Sequence, residues 1–476
     1  MGIPFRVQYW GREYVILPTK YLQDLKGSNK DHLSFFKSIQ DVFFLKYWVG
    51  DLFQTDRMVH MVKKGLNPHL NEATDLCLGE TPDAFHDELG DCEGRRGEAF
   101  TSHPALDVCC GIAHRIASKI IVGDELCRDG AFRRASYAYF QGHAMTGYML
   151  LLIPSRHLRR LLAWPLSYLQ RRRQHTVLLL VSAYMRRRSE ERIGWGDNAG
   201  DNRGSSSSSN HGATTTEDIC VDWILKIKDD FPKSQNEDLY WQMSHELVHL
   251  LGASHTPTGI TVTMMLWRVL HEPRYLQPLR DEAEQTVSRF GYTSKMIGHL
   301  PLMDNFISEV HRLYPMGCQR TITGKPFQLH DGATLPAGTR IAFPVELMLQ
   351  DADAFQDAPR FDGYRFQRLA QEGARTDEGV NIWKASHSHS RNLMFGFGSH
   401  VCPGRFFAVR LIKIIFAHFL VEYDIESDWP EGGIPPGFQI EGSMIPHGTA
   451  RISFKKRGLN WSRGKEDAEG AAETVN

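Results

Sequence analysis

Hydrophobic positions along much of the chain recur at intervals of three and four residues, the period of an α-helix with one buried face. The helices predicted from this pattern span residues 56–70, 105–122, 131–152, 156–185, 238–270, 275–289 and 302–313. The first half of the chain is therefore expected to be mainly helical, and residues 238–270 are expected to form one long helix.

Short strands are predicted at the start of the chain and again late in it. Residues 4–17 alternate between polar and apolar positions around a Gly-Arg-Glu turn, which predicts a β-hairpin. Residues 319–323, 327–329 and 339–344 predict further strands, because turn-forming glycine, proline and aspartate separate them. The predicted fold class is mainly α with a small β region, built as one large domain.

Two polar segments depart from these patterns. Residues 195–217 contain glycine, asparagine, aspartate and five consecutive serines, and residues 459–476 are polar and charged. Neither segment has the apolar side chains that a packed core requires. We expect residues 195–217 to be a disordered insert within a domain spanning residues 1–458, and residues 459–476 to be a disordered tail.

Composition excludes several classes of protein. The 476 residues carry 55 lysines and arginines against 56 acidic residues, so no overall positive field would attract nucleic acid. The eight cysteines include no Cys-x-x-Cys pair, which argues against a disulfide framework or a thiolate zinc site. Neither a secretory signal nor a membrane-spanning apolar run is present. We expect an intracellular chain without a transmembrane anchor in this sequence.

The strongest candidate for chemistry is Cys402, which lies in a loop rich in glycine directly before a predicted helix over residues 405–423. Unpaired N–H groups and the helix dipole at that position favour a thiolate, the form that binds metals or attacks electrophiles. The nearby glycines would let a flat, bulky partner approach the backbone. These residues alone leave three roles open: a metal ligand, a nucleophile or a buried structural cysteine.

The pattern Phe395-x-x-Gly398-x-x-x-Cys402-x-Gly404-Arg-x-x-Ala408 resembles the haem-ligand loop of the cytochrome P450 family. This resemblance implies that Cys402 is the axial ligand of haem b iron and that Phe395, Gly398 and Gly404 contact the cofactor. It also implies the cytochrome P450 fold.

Two upstream segments resemble the same family, in the family's order. Glu309-x-x-Arg312 places two side chains on one helix face, and Arg365 lies in a following Pro-Arg-Phe segment. The resemblance implies that these three residues form a cluster that locks the cysteine loop. It further implies that His400 and Arg320 contact the haem propionates, while the family's earlier Trp-x-x-x-Arg is missing and residues 59–64 stand in that region.

The long predicted helix contains Gly252-Ala253-Ser-His255-Thr256-Pro257, which resembles the oxygen-activation motif of the family. The resemblance implies a catalytic role for Thr256, with His255 in place of the usual acid and able to relay protons. Gly252 and Ala253 are expected to leave room for dioxygen and substrate. Pro257 is expected to kink the helix there.

The same helix also fits a different class of enzyme. His245-Glu246-x-x-His249-x-x-Gly-x-x-His255 fills the zinc motif of metzincin proteases, in which three histidines bind zinc and the glutamate is the general base. Against this alternative, the apolar helical pattern continues beyond His255 and no disulfides or secretory signal are predicted. Because the haem hypothesis explains more segments, His245 and His249 are expected to lie on the helix surface or in a substrate channel.

The resemblance is strongest to fungal members that oxidise terpenoids or other secondary metabolites. It implies a monooxygenase that inserts one oxygen atom from O2 into an apolar small molecule, with electrons from NADPH through a reductase. Arg405, Arg410 and Lys413 are the candidate basic patch for that reductase. The family also implies the endoplasmic reticulum membrane surface. Because no anchor precedes the hairpin, a shortened gene product or an inactive haem-binding remnant is a further alternative.

Overall fold

The fold is described from a computed structural model of the chain. It covers residues 2–9, 12–26, 32–50, 56–90, 100–153, 155–198, 219–231, 238–315, 319–322, 324–373, 382–440 and 442–458. The predicted tail, residues 459–476, and residues 199–217 of the predicted insert lie outside these ranges.

Helices dominate the described residues. In chain order they are α1 (Leu22–Lys26), α2 (Phe35–Val42), α3 (Arg57–His60), α4 (Leu70–Leu89), α5 (Ala105–Ile121), α6 (Asp124–Arg128), α7 (Gly130–Leu151), α8 (Arg156–Leu166), α9 (Tyr168–Asn198), α10 (Ile219–Lys226), α11 (Leu239–His271), α12 (Leu276–Phe290), α13 (Pro301–Leu313), α14 (Val345–Leu349), α15 (Arg365–Gln371) and α16 (Arg405–Glu422). A π-helical turn (Met61–Leu66) and a 3-10 turn (Asn67–His69) join α3 to α4.

The strands are short and lie mostly at the two ends of the chain. They are β1 (Phe5–Tyr9), β2 (Arg12–Ile16), β3 (Leu33–Ser34), β4 (Thr101–Pro104), β5 (Gln319–Ile322), β6 (Phe327–Gln328), β7 (Thr334–Leu335), β8 (Arg340–Ala342), β9 (Tyr423–Ser427), β10 (Phe438–Ile440), β11 (Ser443–Ile445) and β12 (Arg451–Lys456).

The predicted N-terminal hairpin and the late strands form one sheet. Its strand order is β1-β2-β8-β5-β3, with β1 antiparallel to β2 and β2 parallel to β8 through the pair Val15 and Ile341. A second sheet of order β4-β12-β9 joins residues 101–104 to the strands near the end of the chain. The predicted fold class, mainly α with a small β region, is therefore confirmed.

Helix α11 runs through the helical core, where it packs against α5, α9, α13 and α16. It is uninterrupted across Pro257, so the prediction of one long helix is confirmed, while the kink stays a prediction. Its closest neighbour is α5, because a Cβ on Gly259 would lie 2.7 Å from the Cα of Cys110. A glycine at this crossing lets the two helix backbones approach.

The single helix predicted over residues 156–185 is wrong. The structure divides it into α8 and α9 at Ser167, whose hydroxyl donates to the carbonyl of Trp164 at 3.2 Å. Pro165 explains the break, because it lacks the N–H that would bond the preceding turn. Helix α9 also continues to Asn198, so the first four residues of the predicted disordered insert are helical.

The cysteine loop lies between two hydrophobic cores. Phe395 packs against the large helical core, and Phe397 is buried in a smaller core that also contains Leu17 and Phe343 of the sheet region. Two aromatic side chains therefore hold opposite sides of the loop. Within the described residues, no helix has both the length and the apolarity needed to cross a bilayer.

Candidate functional site

Backbone and side-chain hydrogen bonds fix the loop around Cys402. The N–H of Cys402 donates to the carbonyl of Phe395 at 2.8 Å, and the guanidinium of Arg405 donates to the carbonyl of Cys402 at 3.0 Å. From the other side, the amide of Asn67 donates to the carbonyl of Pro403 at 3.2 Å. The cysteine is thus held three residues before the start of α16, as predicted.

Glycines shape the loop in two different ways. Gly398 has a φ of +67°, and a Cβ there would lie 2.5 Å from the Cα of Lys26, so a larger residue would displace backbone. At Gly404, a Cβ would stand 3.9 Å from the sulfur of Cys402. The glycine at this position therefore keeps the space beside the sulfur open, as a flat ligand would require.

The electrostatics of Cys402 depart from the prediction of a thiolate stabilised by the helix. Burial raises the pKa of the thiol, and this outweighs the N–H groups of Gly404 and Arg405 and the charge of Arg405, which lower it. The protein by itself therefore favours the thiol. Because a metal ion deprotonates a thiol that coordinates it, the half-buried sulfur and the open space beside it fit a haem iron.

A buried ion cluster joins α13 to the start of α15. Glu309 accepts hydrogen bonds from Arg312 (2.8 and 2.8 Å), from Nε of Arg365 (3.1 and 3.1 Å) and from the N–H of Asp362 (2.9 Å). The side chains of Glu309, Arg312 and Arg365 are only 0%, 0% and 6% exposed. The structure therefore brings together the three residues that the sequence predicted as a cluster.

Both arginines of the cluster also donate to backbone carbonyls. Arg312 donates to Leu349 at 2.8 Å, and Arg365 donates to Arg360 at 2.8 Å and to Gln356. The carbonyl of Leu349 ends α14, and those of Gln356 and Arg360 belong to the irregular segment between α14 and α15. The cluster therefore ties that segment to α13.

Helix α13 also contacts the cysteine loop directly. The ring of His311 packs edge-on against Phe395, with centroids 5.7 Å apart. Two helical turns before His311, Asp304 accepts from the N–H of Ala385 at 3.2 Å and from Lys413 at 2.6 Å. Asp304 and His311 therefore fix both the segment before the loop and the helix after it.

Comparison with known proteins agrees with this geometry. Residues 223–453 match the family model described as Cytochrome P450. The cytochrome P450 monooxygenase sirB of Leptosphaeria maculans is 31% identical over 459 residues, which cover 95% of this chain and 83% of that protein. The chain belongs to the cytochrome P450 family.

Other relatives of this cytochrome P450 are also fungal. Ent-kaurene oxidase of Gibberella intermedia is 27% identical over 465 residues, covering 96% of this chain and 81% of that protein. Among solved structures, the retinoic acid-bound cyanobacterial CYP120A1 superposes with a TM-score of 0.64 at 14% identity, over 95% of this chain and 91% of that chain. The solved structure supports the fold, and the relatives support an oxidoreductase of the monooxygenase type from fungal secondary metabolism.

The zinc-protease alternative is wrong for this cytochrome P450. Glu246 is buried and paired with Arg57 at 2.8 Å, so its carboxylate is not available as a general base. Nδ1 of His249 donates to the carbonyl of His245 at 2.7 Å, so its Nε2 accepts from the hydroxyl of Tyr139 at 3.0 Å, and His255 contacts Thr256. Helix α11 does not turn at Gly252, and in the described residues the only group with metal-ligand geometry is Glu80, Asp124 and Cys127, elsewhere in the fold.

Two expectations for neighbouring positions of α11 also need correction. Gly252 does not provide free space, since a Cβ there would meet the ring of Phe140 at 2.6 Å. His249 is buried between α11 and α7, so it is not a helix-surface residue, while its place in a substrate channel stays a prediction. Ala253 and Thr256 are exposed. Within the predicted oxygen-activation motif, Ala253 and Thr256 therefore lie on an accessible face of the helix.

The predicted basic patch is wrong in part. Lys413 is 3% exposed, because its ammonium group is inside the protein, bonded to Asp304 and to the carbonyl of Ile297 at 3.1 Å. Arg410 is half-buried and donates to Thr74 at 2.9 Å. Only Arg405 of the three lines a surface cavity at the cysteine loop.

The two predicted haem-edge contacts, Arg320 and His400, stay predictions. The backbones of Arg320 and His400 are described, within β5 and in a 3-10 turn of the loop, but their side chains are not. In residues 59–64, the side chains of His60, Lys63 and Lys64 are exposed. Sequence reasoning missed Asn67, Asp304 and His311, which hold the loop, because an isolated polar residue within a helical pattern gives no signal of its long-range partner.

Proposed function

We propose that this cytochrome P450 binds haem b through Cys402 and inserts one oxygen atom of O2 into an apolar small molecule. The observation that carries the proposal is the half-buried sulfur of Cys402, with open space kept by Gly404 and a loop that packs on His311 of α13, the helix that carries Glu309 and Arg312. The domain responsible is the one spanning residues 1–458.

The protein residues have separate tasks in this proposal. Haem, when bound, supplies the activation of dioxygen that side chains cannot provide. Cys402 holds the iron, while Phe395, Gly398 and Gly404 shape the contact surface. His400 and Arg320 pair with the propionates, because a cation gains charge-assisted hydrogen bonds from a carboxylate. Thr256, with its neighbour His255, serves the oxygen chemistry from the exposed face of α11.

We propose a terpenoid or related secondary metabolite as the substrate. The relative named Ent-kaurene oxidase supports this class. An apolar substrate agrees with the exposed Ala253 beside Thr256, since residues 247–267 of α11 include no lysine, arginine, aspartate or glutamate.

Electrons are proposed to come from NADPH through a reductase that docks at the cysteine loop. A cavity of about 310 Å³ opens there, lined among others by Lys26, His387, Arg405 and Phe406. Lys26 and Arg405 place two positive charges at its walls. An acidic surface on the reductase would be complementary to them.

A membrane surface is the proposed location. Apolar side chains are exposed on consecutive helices: Met145 on α7, Leu161 (72% exposed) and Trp164 (65% exposed) on α8, and Leu169 on α9. Arg171 stacks on Trp164 at 3.7 Å, so cationic and aromatic groups lie side by side. This combination suits the boundary between lipid headgroups and acyl chains.

The ligand assignment is tested with the full chain and two cysteine variants. Cys402→Ala is expected to abolish the Soret band that a thiolate ligand gives to the reduced, CO-bound haem. Cys220→Ala, which alters a cysteine buried in the helical core, is the matched control and should keep that band. A thiolate band in Cys402→Ala would defeat the assignment.

The same preparations separate the alternatives for activity. Supplied with NADPH, a reductase and a panel of terpenoids, the wild-type protein is expected to consume NADPH and form oxygenated products. A protein that binds haem with the thiolate band but oxygenates nothing in the panel would favour the inactive remnant.

A further inference from the structure

His255 makes two hydrogen bonds that together define its protonation. Its Nδ1 lies 2.9 Å from the carbonyl of Leu251, one helical turn before it, and its Nε2 lies 3.0 Å from Oγ1 of Thr256. A carbonyl oxygen only accepts, so Nδ1 must carry the hydrogen. In the neutral ring, Nε2 is then the acceptor, and the hydroxyl of Thr256 must donate to it.

The surroundings hold the imidazole in this orientation. His255 is buried, and its ring lies 5.0 Å from His114, edge-on at 88°, and 4.8 Å from Phe140. Burial lowers the pKa of His255 to about 4, so the ring is neutral at neutral pH. His114, the titratable group that faces it from α5, also has its pKa lowered by burial.

The hydrogen bonds of His114 lead away from His255. Its Nε2 lies 2.9 Å from the hydroxyl of Ser136, and that hydroxyl donates to the carbonyl of Phe132 at 2.7 Å. Nε2 of His114 therefore donates to Ser136. The two imidazoles touch by ring packing, so neither hands a proton to the other.

We propose that His255 is a positioning residue: its Nε2 takes the hydroxyl hydrogen of Thr256 and so leaves the oxygen of Thr256 as a hydrogen-bond acceptor on the exposed face of α11. The proposal deepens the proposed function, since it rests on the role of Thr256 in oxygen chemistry at the haem. Both nitrogens of His255 are already engaged, so it orients Thr256 and does not relay protons.

A neutral imidazole accepts the hydroxyl hydrogen of Thr256 without adding charge to the site. A carboxylate at residue 255 would also accept from Thr256, but burial beside Phe140 and His114 would disfavour its ionised form. The histidine therefore keeps an acceptor next to Thr256 in an environment that is costly for an anion.

The first experiment examines the hydrogen bond by NMR of the full, haem-loaded protein labelled with 15N-histidine, in the diamagnetic reduced CO complex. The signals of His255 are assigned from their loss in His255→Gln. We expect the Nδ1–H tautomer, with an Nε2 signal shifted as for a hydrogen-bond acceptor. Thr256→Val should move that signal toward the value of an unbonded nitrogen, whereas Thr256→Ser, which keeps the hydroxyl, should not.

Two outcomes of this experiment would overturn the proposal. One is the opposite tautomer, with hydrogen on Nε2. The other is an Nε2 signal that does not respond to Thr256→Val.

The second experiment uses carbon monoxide as a probe and the infrared stretch of the bound CO as the readout. In His255→Leu the hydroxyl of Thr256 loses its acceptor and is expected to turn and donate toward the CO, which lowers the stretching frequency. His255→Gln, whose amide oxygen still accepts, should keep the wild-type frequency. The double variant with Thr256→Val should show no lowering.

Failure of this proposal and failure of the proposed function give different results. A wild-type protein without the thiolate Soret band would overturn the proposed function. A thiolate band in every variant, with the same CO frequency in His255→Leu and wild type, would overturn the role of His255.

Discussion

Replacement of Glu309 by glutamine removes the anion from the buried cluster while it keeps the shape of the side chain. Arg312 and Arg365 would then lie together without a counter-charge. The NH2 group of the glutamine would also face guanidinium N–H groups, so donors would meet donors. Two of the five hydrogen bonds to the lost carboxylate come from Arg312 and two from Arg365, so both cations are affected.

The expected cost follows from the burial of the cluster. Removal of one partner from a buried ion pair typically costs about 3–5 kcal/mol, because the remaining charge stays in a poorly solvating environment. Glu309 is 0% exposed, so solvent screening does not reduce this value. We expect the free energy of unfolding to fall by about that amount in urea denaturation followed by circular dichroism.

The control is Glu125→Gln, which removes a carboxylate of an exposed pair with Arg187. Pairs of this kind contribute about 0–1 kcal/mol, so its unfolding midpoint should stay close to that of the wild type. The reasoning about the cluster is refuted if Glu309→Gln and Glu125→Gln lose the same amount of stability.

Two further predictions concern the loop and the pH dependence of stability. Gly398→Ala is expected to lower the haem content of the purified protein, because its Cβ would meet the backbone of Lys26 at 2.5 Å and a φ of +67° strains alanine. The control is Gly433→Ala, which is also at positive φ but has no atom nearer than 3.9 Å to the added Cβ. Equal haem content in the two variants would contradict this explanation. Burial raises the pKa of Glu422 to about 7 from its ordinary 4.5, so the folded state holds a proton that the unfolded state has released between these values, and stability from this group is lost as pH rises through that window. Glu422→Gln should therefore lose less stability than the wild type between about pH 5 and about pH 8 in urea titrations, and parallel losses would show that Glu422 does not contribute.

Much of the fold could be predicted because hydrophobic periodicity reports which face of an element is buried. The long helix α11 was predicted over residues 238–270 and is observed as Leu239–His271, and the N-terminal hairpin pairs as the alternation indicated. Periodicity gave no sign of the break at Ser167, because apolar residues continue on both sides of it. There a single proline decides the local structure.

The zinc motif shows why local spacing can mislead. His245, His249 and His255 satisfy it in sequence, but the motif requires the chain to turn at Gly252. Instead, the ring of Phe140 from another helix packs against that glycine, a contact that residues 245–255 alone do not reveal. Likewise, nothing near Lys413 in the sequence indicates burial, since its partner Asp304 belongs to α13.

Helix α13 explains why the predicted cluster and the predicted cysteine loop depend on each other. Asp304 accepts a hydrogen bond from Lys413 of α16, and His311 packs on Phe395. Between them, Glu309 accepts hydrogen bonds from Arg312 and Arg365. An i,i+3 pair such as Glu309 and Arg312 is common on exposed helices and by itself indicates little. Here the pair is buried, and the same helix contacts the chain before Cys402 at Phe395 and after it at Lys413.

This arrangement separates two ways in which the protein can fail. Because the cluster reaches Cys402 through α13, its loss is expected to release haem. His255 bonds to Thr256 and to the carbonyl of Leu251, all within α11, so the geometry of this pair does not depend on Glu309. Haem retention and the state of the Thr256 hydroxyl are therefore controlled by different helices, and a variant of either set should leave the other intact.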